Sequence, residues 1–289
     1  MPSDKKDEGS HPYQNRRIVL TTKHHKLGLI APVLEAELAV TLELHEADTD
    51  QLGTFSGEIE RSLSPKETAA TKARMGMSAL GHSLGIASEG SIGPDPLAPF
   101  FRSDIEHIVL VDTDLDIEIY ESYRSMDIIA GEIVATPDSD LSSFIAKVDF
   151  PNHKLMVQPN ITDHLRVVRG IDTLDDLERA VHELASQSSD GKVLLRSDLR
   201  AHCSPSRQKN IIEVARRLAK RIKALCPECK TPGWGIARYA RGLDCIECGE
   251  LVEGAIKFEI SGCVKCSFEQ QGSQVAEFAA ASSCGSCNP

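Results

Sequence analysis

Apolar positions change rhythm several times along the first 225 residues, and each rhythm predicts an element. The β-branched run "RRIVLTT" predicts a strand. After it Leu27, Ile30, Val33, Leu34 and Leu38 recur at helical spacing, with Pro32 close enough to the start to be tolerated. "AVTLEL" predicts a second strand, and "HEADTDQLGTFSGEIERSL" a polar, glycine-punctuated loop of a length more often functional than idle. Ser64, Pro65 and Glu67 form a capping-box signature for a helix running to about Leu80, closed by Gly81. "SLGIAS" predicts a third strand leading into "EGSIG", a glycine-rich turn beside Glu89, and "EHIVLVDTDLDIEIYES" predicts a hairpin with an Asp-rich turn. A helix near "DLSSFIAKV", a strand "HKLMVQ", a helix "TLDDLERAVHELASQ", a strand "KVLLR" and a long helix entered at Ser204–Pro205 complete a mixed α/β order.

After Leu225 the pattern gives way to cysteines. Eight of the nine fall into CxxC pairs: Cys226 and Cys229, Cys245 and Cys248, Cys263 and Cys266, Cys284 and Cys287. In a reducing compartment this spacing signals metal ligation rather than disulfides, and four soft thiolates match the tetrahedral preference of Zn²⁺. About two structural Zn²⁺ ions are therefore expected. Sequential pairing would make two zinc ribbons and alternate pairing a cross-braced fold; the spacing admits both, and the knuckles "CPECKTPG" and "CIECGE" favour the sequential one. The expected organisation is a disordered tail over residues 1–15, an α/β domain over 16–222 and a double zinc-ribbon module over 223–289.

Net charge of −11 and a pI near 5.4 disfavour a generalised grip on nucleic acid or an anionic membrane, so any anion must be held locally. The absence of a long apolar run or signal-peptide core points to a soluble, cytoplasmic protein without membrane contact. Within the cysteine region "KTPGWGIARYARGL" offers Trp234, Arg238, Tyr239 and Arg241 as a stacking and phosphate surface for nucleic acid; packing of Trp234 and Tyr239 within the module explains the same residues.

Three stretches carry candidate chemistry for an anionic ligand. Thr21, Thr22 and Lys23 leave the first strand where helix amides, hydroxyls and an ammonium meet a phosphate, without the glycines of a P-loop; His24 and His25 are adjacent and cannot share one helix face. Glu89 and Glu67, with Asp48 and Asp50, are candidate oxygen ligands for Mg²⁺ or Mn²⁺, beside Lys72 and Arg74 as charge stabilisers. "SDLRAHCSPSR" gathers Asp198, Arg200, His202 and Arg207: Arg200 and Arg207 could close on a phosphate with His202 donating, or Asp198 and Arg200 could pair internally. Cys203 reads as a buried small hydrophobe.

The strand ending "TTK", the helix "PKETAATKA" and the strand running into "GIASEGSIG" together resemble the inosine triphosphatase-like pyrophosphatases, especially the non-canonical purine triphosphatase branch. The resemblance spans about residues 16–222 and lacks the asparagine usual after the first strand. It implies an inosine triphosphatase-like mixed sheet, Lys23 on phosphate, Glu67 and Glu89 on Mg²⁺, Lys72 on the phosphate chain, and glycines admitting the nucleotide. Over its whole length the chain, with "DTDQLGTFSGEIER", "ASEGSIGP" and the ending "CGSCNP", is similar to an uncharacterised bacterial family bearing a C-terminal cysteine array. Two readings follow. The α/β part hydrolyses a nucleotide-like phosphate with a divalent metal, or it is a non-catalytic nucleotide- or RNA-binding module whose ribbons recognise a nucleic-acid or protein partner.

Overall fold

The β-branched run forms β1 (Arg17–Thr21) and the helically spaced apolar residues form α1 (Leu27–Leu38), after which the chain returns as β2 (Thr41–His45). The computed structural model describes residues 11–23, 25–47, 63–162 and 166–289. The expected capping box is present at Ser64 and opens α2 (Pro65–Leu80), with Gly81 left-handed at its end. β3 (Leu84–Pro94), β4 (Arg102–Asp112) and β5 (Ile117–Ser125) follow as an antiparallel meander. β1 pairs in parallel with both β2 and β3, so the sheet order is β2-β1-β3-β4-β5. The steps β1 to β2 and β2 to β3 run in opposite directions across the sheet, and right-handed crossovers therefore place α1 and α2 on opposite faces.

One face packs Ile18, Leu20, Ile86, Ile108 and Leu110 against α1 and against α5 (Pro205–Lys223), through Ile30, Leu34, Ile211, Val214 and Leu218. The other packs Ala87, Val109 and Val111 against Ala69, Ala73 and Met77 of α2. The stretch expected as a glycine-rich turn, Glu89–Gly93, is instead strand: it pairs residue for residue with Ser103–His107 of β4.

A second sheet holds β6 (Glu132–Ala135), β7 (Leu155–Pro159), β8 (Val168–Ile171) and β9 (Val193–Ser197) in the order β6-β9-β7-β8, entirely antiparallel. α3 (Ser142–Lys147) and α4 (Leu174–Ala185), the latter capped by Thr173, close its own core of Phe144, Leu155, Val157, Leu177, Leu184 and Leu195. His153 ties this unit to the start of α5: its Nε2 accepts from the Ser206 amide at 3.1 Å and lies 3.0 Å from Ser206 Oγ, while Nδ1 lies 3.0 Å from Asp149. The part expected as one α/β domain is thus mixed α/β built on two sheets with separate cores.

Beyond α5, β10 (Gly235–Asp244), β11 (Leu251–Gly262) and β12 (Glu269–Gln274) form a three-stranded antiparallel sheet among the cysteines. No helix among the described residues is long and apolar enough to cross a membrane.

Candidate functional site

In a sheet ordered β2-β1-β3, the chain leaves β1 to one side for β2 and then crosses back over β1 to β3, a reversal of strand order that opens a crevice outside the carboxyl ends of β1 and β3 where ligands of such sheets bind. β1 stops at Thr21, opposite Ala87, while β3 runs on through Ser88, Glu89 and Gly90. Into that gap come Lys26 from the start of α1, Lys72 from α2, Glu106 from β4 and Arg207 from the first turn of α5, all buried.

On the α2 side Lys72 Nζ donates to Glu89 Oε2 at 2.5 Å. On the α5 side Arg207 Nε donates to Glu106 Oε1 at 2.6 Å and a second guanidinium nitrogen to the Leu199 carbonyl at 2.7 Å. Lys26 Nζ donates to Ser88 Oγ at 2.9 Å and lies 3.7 Å from Glu106 Oε2. Burial pulls the Lys26 ammonium below its ordinary range, against the attraction of Glu106. Next along the same face of β4, Asp104 accepts from Asn210 at 2.8 Å; burial, then the Glu106 charge, pushes its carboxyl up to about 7. The network thus sets three buried cations, Lys26, Lys72 and Arg207, against Glu89 and Glu106, with Asp104 shared between protonation states near neutrality. Glu106 Oε2 and Thr21 Oγ1 are buried without a hydrogen-bond partner among the described residues.

Gly90 explains one glycine of the opening motif. A Cβ there would lie 2.3 Å from Arg207 Nη2 and 2.4 Å from Glu106 Oε1, so its missing side chain makes room for the ion pair rather than for a ligand. Gly93 faces open space.

The residues expected from sequence are only partly brought together. Thr21 and Thr22 are buried at the end of β1, with the Thr22 amide donating to His45 O, while Lys23 is exposed at the crevice rim. Lys72 and Glu89 form one pair. Glu67 is exposed and engaged in the capping box: its carboxylate accepts from the Ser64 amide and hydroxyl, which lower its pKa. Arg74 pairs with Glu118 on the surface of α2.

Arg200 and Arg207 do not close on a common point: Arg200 is held by Asp198 through Nε at 2.9 Å and Nη2 at 2.6 Å, and Arg207 by Glu106. The His202 ring meets His25 edge-on at 5.5 Å, which does join the "TTKHHK" and "DLRAHC" stretches across the rim; burial, then Arg200, lowers the His202 pKa. Burial pushes the Cys203 thiol up to about 11, as suits an inert hydrophobe. Asp48, Asp50 and His24 lie outside the described residues.

Sequence reading missed Lys26, Asp104, Glu106 and Asn210. A signal was present: Asp104 and Glu106 share the parity of buried Ile108 and Leu110, so the strand pattern puts two acids on a core face. Acids there need partners.

The cysteines form two groups, Cys226, Cys229, Cys263 and Cys266, and Cys245, Cys248, Cys284 and Cys287, with the sulfurs of each group within 4.8 Å of one another. The favoured sequential pairing is therefore corrected: first pairs with third and second with fourth. Ten-residue β10 leads straight from the first knuckle to the second, about 33 Å of extended chain, so these two cannot share an ion. β11 returns antiparallel, Gly262 opposite Gly235, and delivers the third knuckle beside the first.

Tetrahedral Zn²⁺ with bonds of about 2.3 Å separates its sulfurs by roughly 3.8 Å. The closest cross-knuckle separations are 3.8 Å for Cys226–Cys266, 3.5 Å for Cys229–Cys263, 3.8 Å for Cys245–Cys287 and 3.6 Å for Cys248–Cys284. Both groups fit a zinc-type ion, and four thiolates leave it no open position, so its role is structural. Trp234 stacks on Phe268 at 5.5 Å, Arg238 pairs with Glu269 at 2.6 Å, and Arg241 donates to the Gly254 carbonyl at 2.6 Å. Much of the suggested nucleic-acid surface is engaged within the module.

No curated protein matches the chain. A family profile described as a domain of unknown function, DUF6671, matches residues 72–289, which spans the buried Lys72–Glu89 pair, both sheets that follow and both cysteine groups. The chain belongs to this uncharacterised DUF6671 family.

Proposed function

We propose that the α/β part binds a nucleotide-like phosphate in the crevice beyond β1 and β3 and hydrolyses it with a divalent metal. The observation that carries this reading is the convergence of Lys26, Lys72 and Arg207, three buried cations, on two carboxylates at the topological switch point. Burying charges is costly even when they are paired, and a buried charged cluster in a crevice is the pattern of a functional site. The start of α1 faces the same crevice and adds the positive end of a helix to Lys23 at the rim. The inosine triphosphatase-like resemblance of the sequence motifs points to the same reaction class.

In this reading Glu89 is the carboxylate for Mg²⁺ or Mn²⁺, since Glu67 is occupied by its cap. One protein carboxylate suits an ion that takes its remaining ligands from phosphate and water. Bound there, the metal would neutralise phosphate charge and activate water. Lys72, beside Glu89, would direct its ammonium to the phosphate chain. Lys26 and Lys23 hold the chain in place, and Arg207 with Glu106 keeps the crevice wall rigid.

The 2.5 Å pairing of Lys72 with Glu89 also favours a second reading, a non-catalytic phosphate-binding module in which the ligand only displaces the carboxylate. A panel of nucleoside triphosphates with Mg²⁺ or Mn²⁺, scored for pyrophosphate and orthophosphate release alongside binding, separates them. Turnover supports hydrolysis, binding without turnover supports the module, and neither removes both.

A further inference from the structure

The two ends of the cysteine module differ in a way that metal binding does not require. The first group sits against the α/β core: Cys226 follows α5 by three residues, and its knuckles, "CPECK" and "CVKC", carry Lys230 and Lys265. The second lies at the far end of β10, and its knuckles, "CIEC" and "CGSC", carry no base. Residues 242–256 and 274–289 contain no Lys, Arg or His at all, whereas Asp244, Glu247, Glu250, Glu253 and Glu277 are all exposed there. Four thiolates on a divalent ion add two further negative charges.

Large apolar side chains stand in this acidic field. Ile246 is 63% exposed, Leu251 58% and Phe278 47%. They are neighbours by backbone pairing: Cys245 bridges Ala279, the Ile246 amide donates to the Ala279 carbonyl at 3.0 Å beside Phe278, and Leu251 stands opposite Asp244. Single exposed hydrophobes need no explanation, but a group of three rimmed by one sign of charge is the pattern of a protein contact.

We propose that this distal end, around Ile246, Leu251 and Phe278, is a docking surface for a basic amphipathic segment of a partner protein. Apolar anchors would supply the contact energy, and the carboxylate rim the steering and the choice of partner. The sign of the field disfavours a phosphate backbone. The inference is independent of what occupies the crevice.

The test uses the zinc-loaded full chain and fluorescence anisotropy with three labelled synthetic peptides: leucine and lysine at helical spacing, the same with glutamate for lysine, and the same with serine for leucine. We expect binding of the first only. It should weaken at least tenfold in Ile246→Ser/Phe278→Ser and in Glu247→Gln/Glu250→Gln/Glu253→Gln, each checked for metal content. Leu97→Ser/Phe100→Ser, which alters another strongly exposed apolar loop, should leave binding unchanged. Equal binding of the serine peptide, indifference to Ile246→Ser/Phe278→Ser, or loss in Leu97→Ser/Phe100→Ser would overturn the proposal. So would self-association through Ile246 and Phe278 in sedimentation velocity, or tighter binding of a single-stranded oligonucleotide at this end.

Discussion

Cys229→Ser and Cys248→Ser remove one exposed thiolate from each metal group and are matched in chemistry, yet they should differ sharply in effect. The first group is fastened to the α/β core. Arg221 of α5 donates to the Gly233 carbonyl just past Cys229 and to Tyr120 O and Glu121 of β5, and Val264, between Cys263 and Cys266, packs on the main core. A Cβ on Gly233 would lie 2.8 Å from Ile119, which shows how closely the knuckle meets β5. The partial burial of Val264 contributes about 1 kcal/mol and hydrogen bonds from a charged guanidinium about 1.5–3 kcal/mol, so release of this knuckle costs the core roughly 2.5–4 kcal/mol. For a domain of this size that lowers Tm by on the order of 10 °C.

The second group's backbone links, Cys245 to Glu250 and to Ala279, stay inside the module, so Cys248→Ser should shift the core transition by no more than about 2 °C. Trp234, the single tryptophan, stacks on Phe268 at the first group and gives each variant a local reporter. Its emission should change in Cys229→Ser and not in Cys248→Ser, while calorimetry follows the core. Equal losses of Tm, or a Trp234 response to Cys248→Ser alone, would refute this division of labour. The same holds for stepwise chelation of the unmodified chain, which covers the case in which Cys229→Ser does not fold.

Metal analysis after gentle purification should find about two zinc ions per chain; less than one, or an iron–sulfur absorbance, contradicts the fit of the thiolate groups. Gly90→Ala should cost about 3–5 kcal/mol in denaturant unfolding, because its Cβ displaces a buried Arg207–Glu106 pair that has no solvent to move into; a loss under 1 kcal/mol would mean the pair can shift. Asp104 holds its proton to about pH 7 when folded, against about 4 unfolded. Between those values the native state binds more protons, so this group's contribution makes stability fall as pH rises from 4 to 7 and level off above. Asp104→Asn should remove that contribution and stabilise the protein most above pH 7, read as the difference between the two unfolding curves across pH; a constant difference would contradict it.

How much was legible in sequence depended on how local the cause was. The capping box of Ser64 and Glu67 is set by four adjacent residues and appeared as read, as did the Thr173 to Ala185 helix and the Asp-rich turn between β4 and β5. The cysteines were legible as ligands because thiolate chemistry fixes their role, but their partners were not. Pairing is decided by β10 and β11, whose patterns "GIARYARGLD" and "LVEGAIKFEISG" signal strands more weakly than the knuckles signal metal ligation. Two strands of similar length flanking one knuckle already imply a hairpin that returns the third to the first. The extension of β3 through Gly90 and Gly93 was hidden because glycine reads as a turn, whereas here β4 supplies a full ladder and Arg207 fills the space. Lys26 and Glu106 come from segments far apart in the chain, and only the sheet order brings them to Glu89's end of β3.

The central claim is that Glu89 and Lys72 exchange their mutual pairing for a metal and a phosphate. Calorimetric titration of the wild type and Glu89→Gln with a nucleoside triphosphate, each with and without Mg²⁺, tests it most directly. Wild type should bind appreciably only with Mg²⁺. Glu89→Gln leaves the Lys72 ammonium uncompensated, so it should bind the triphosphate without Mg²⁺, gain nothing from adding it, and lose turnover by about 10²-fold or more. No triphosphate binding by the wild type, or the same Mg²⁺ dependence in both proteins, would contradict the claim.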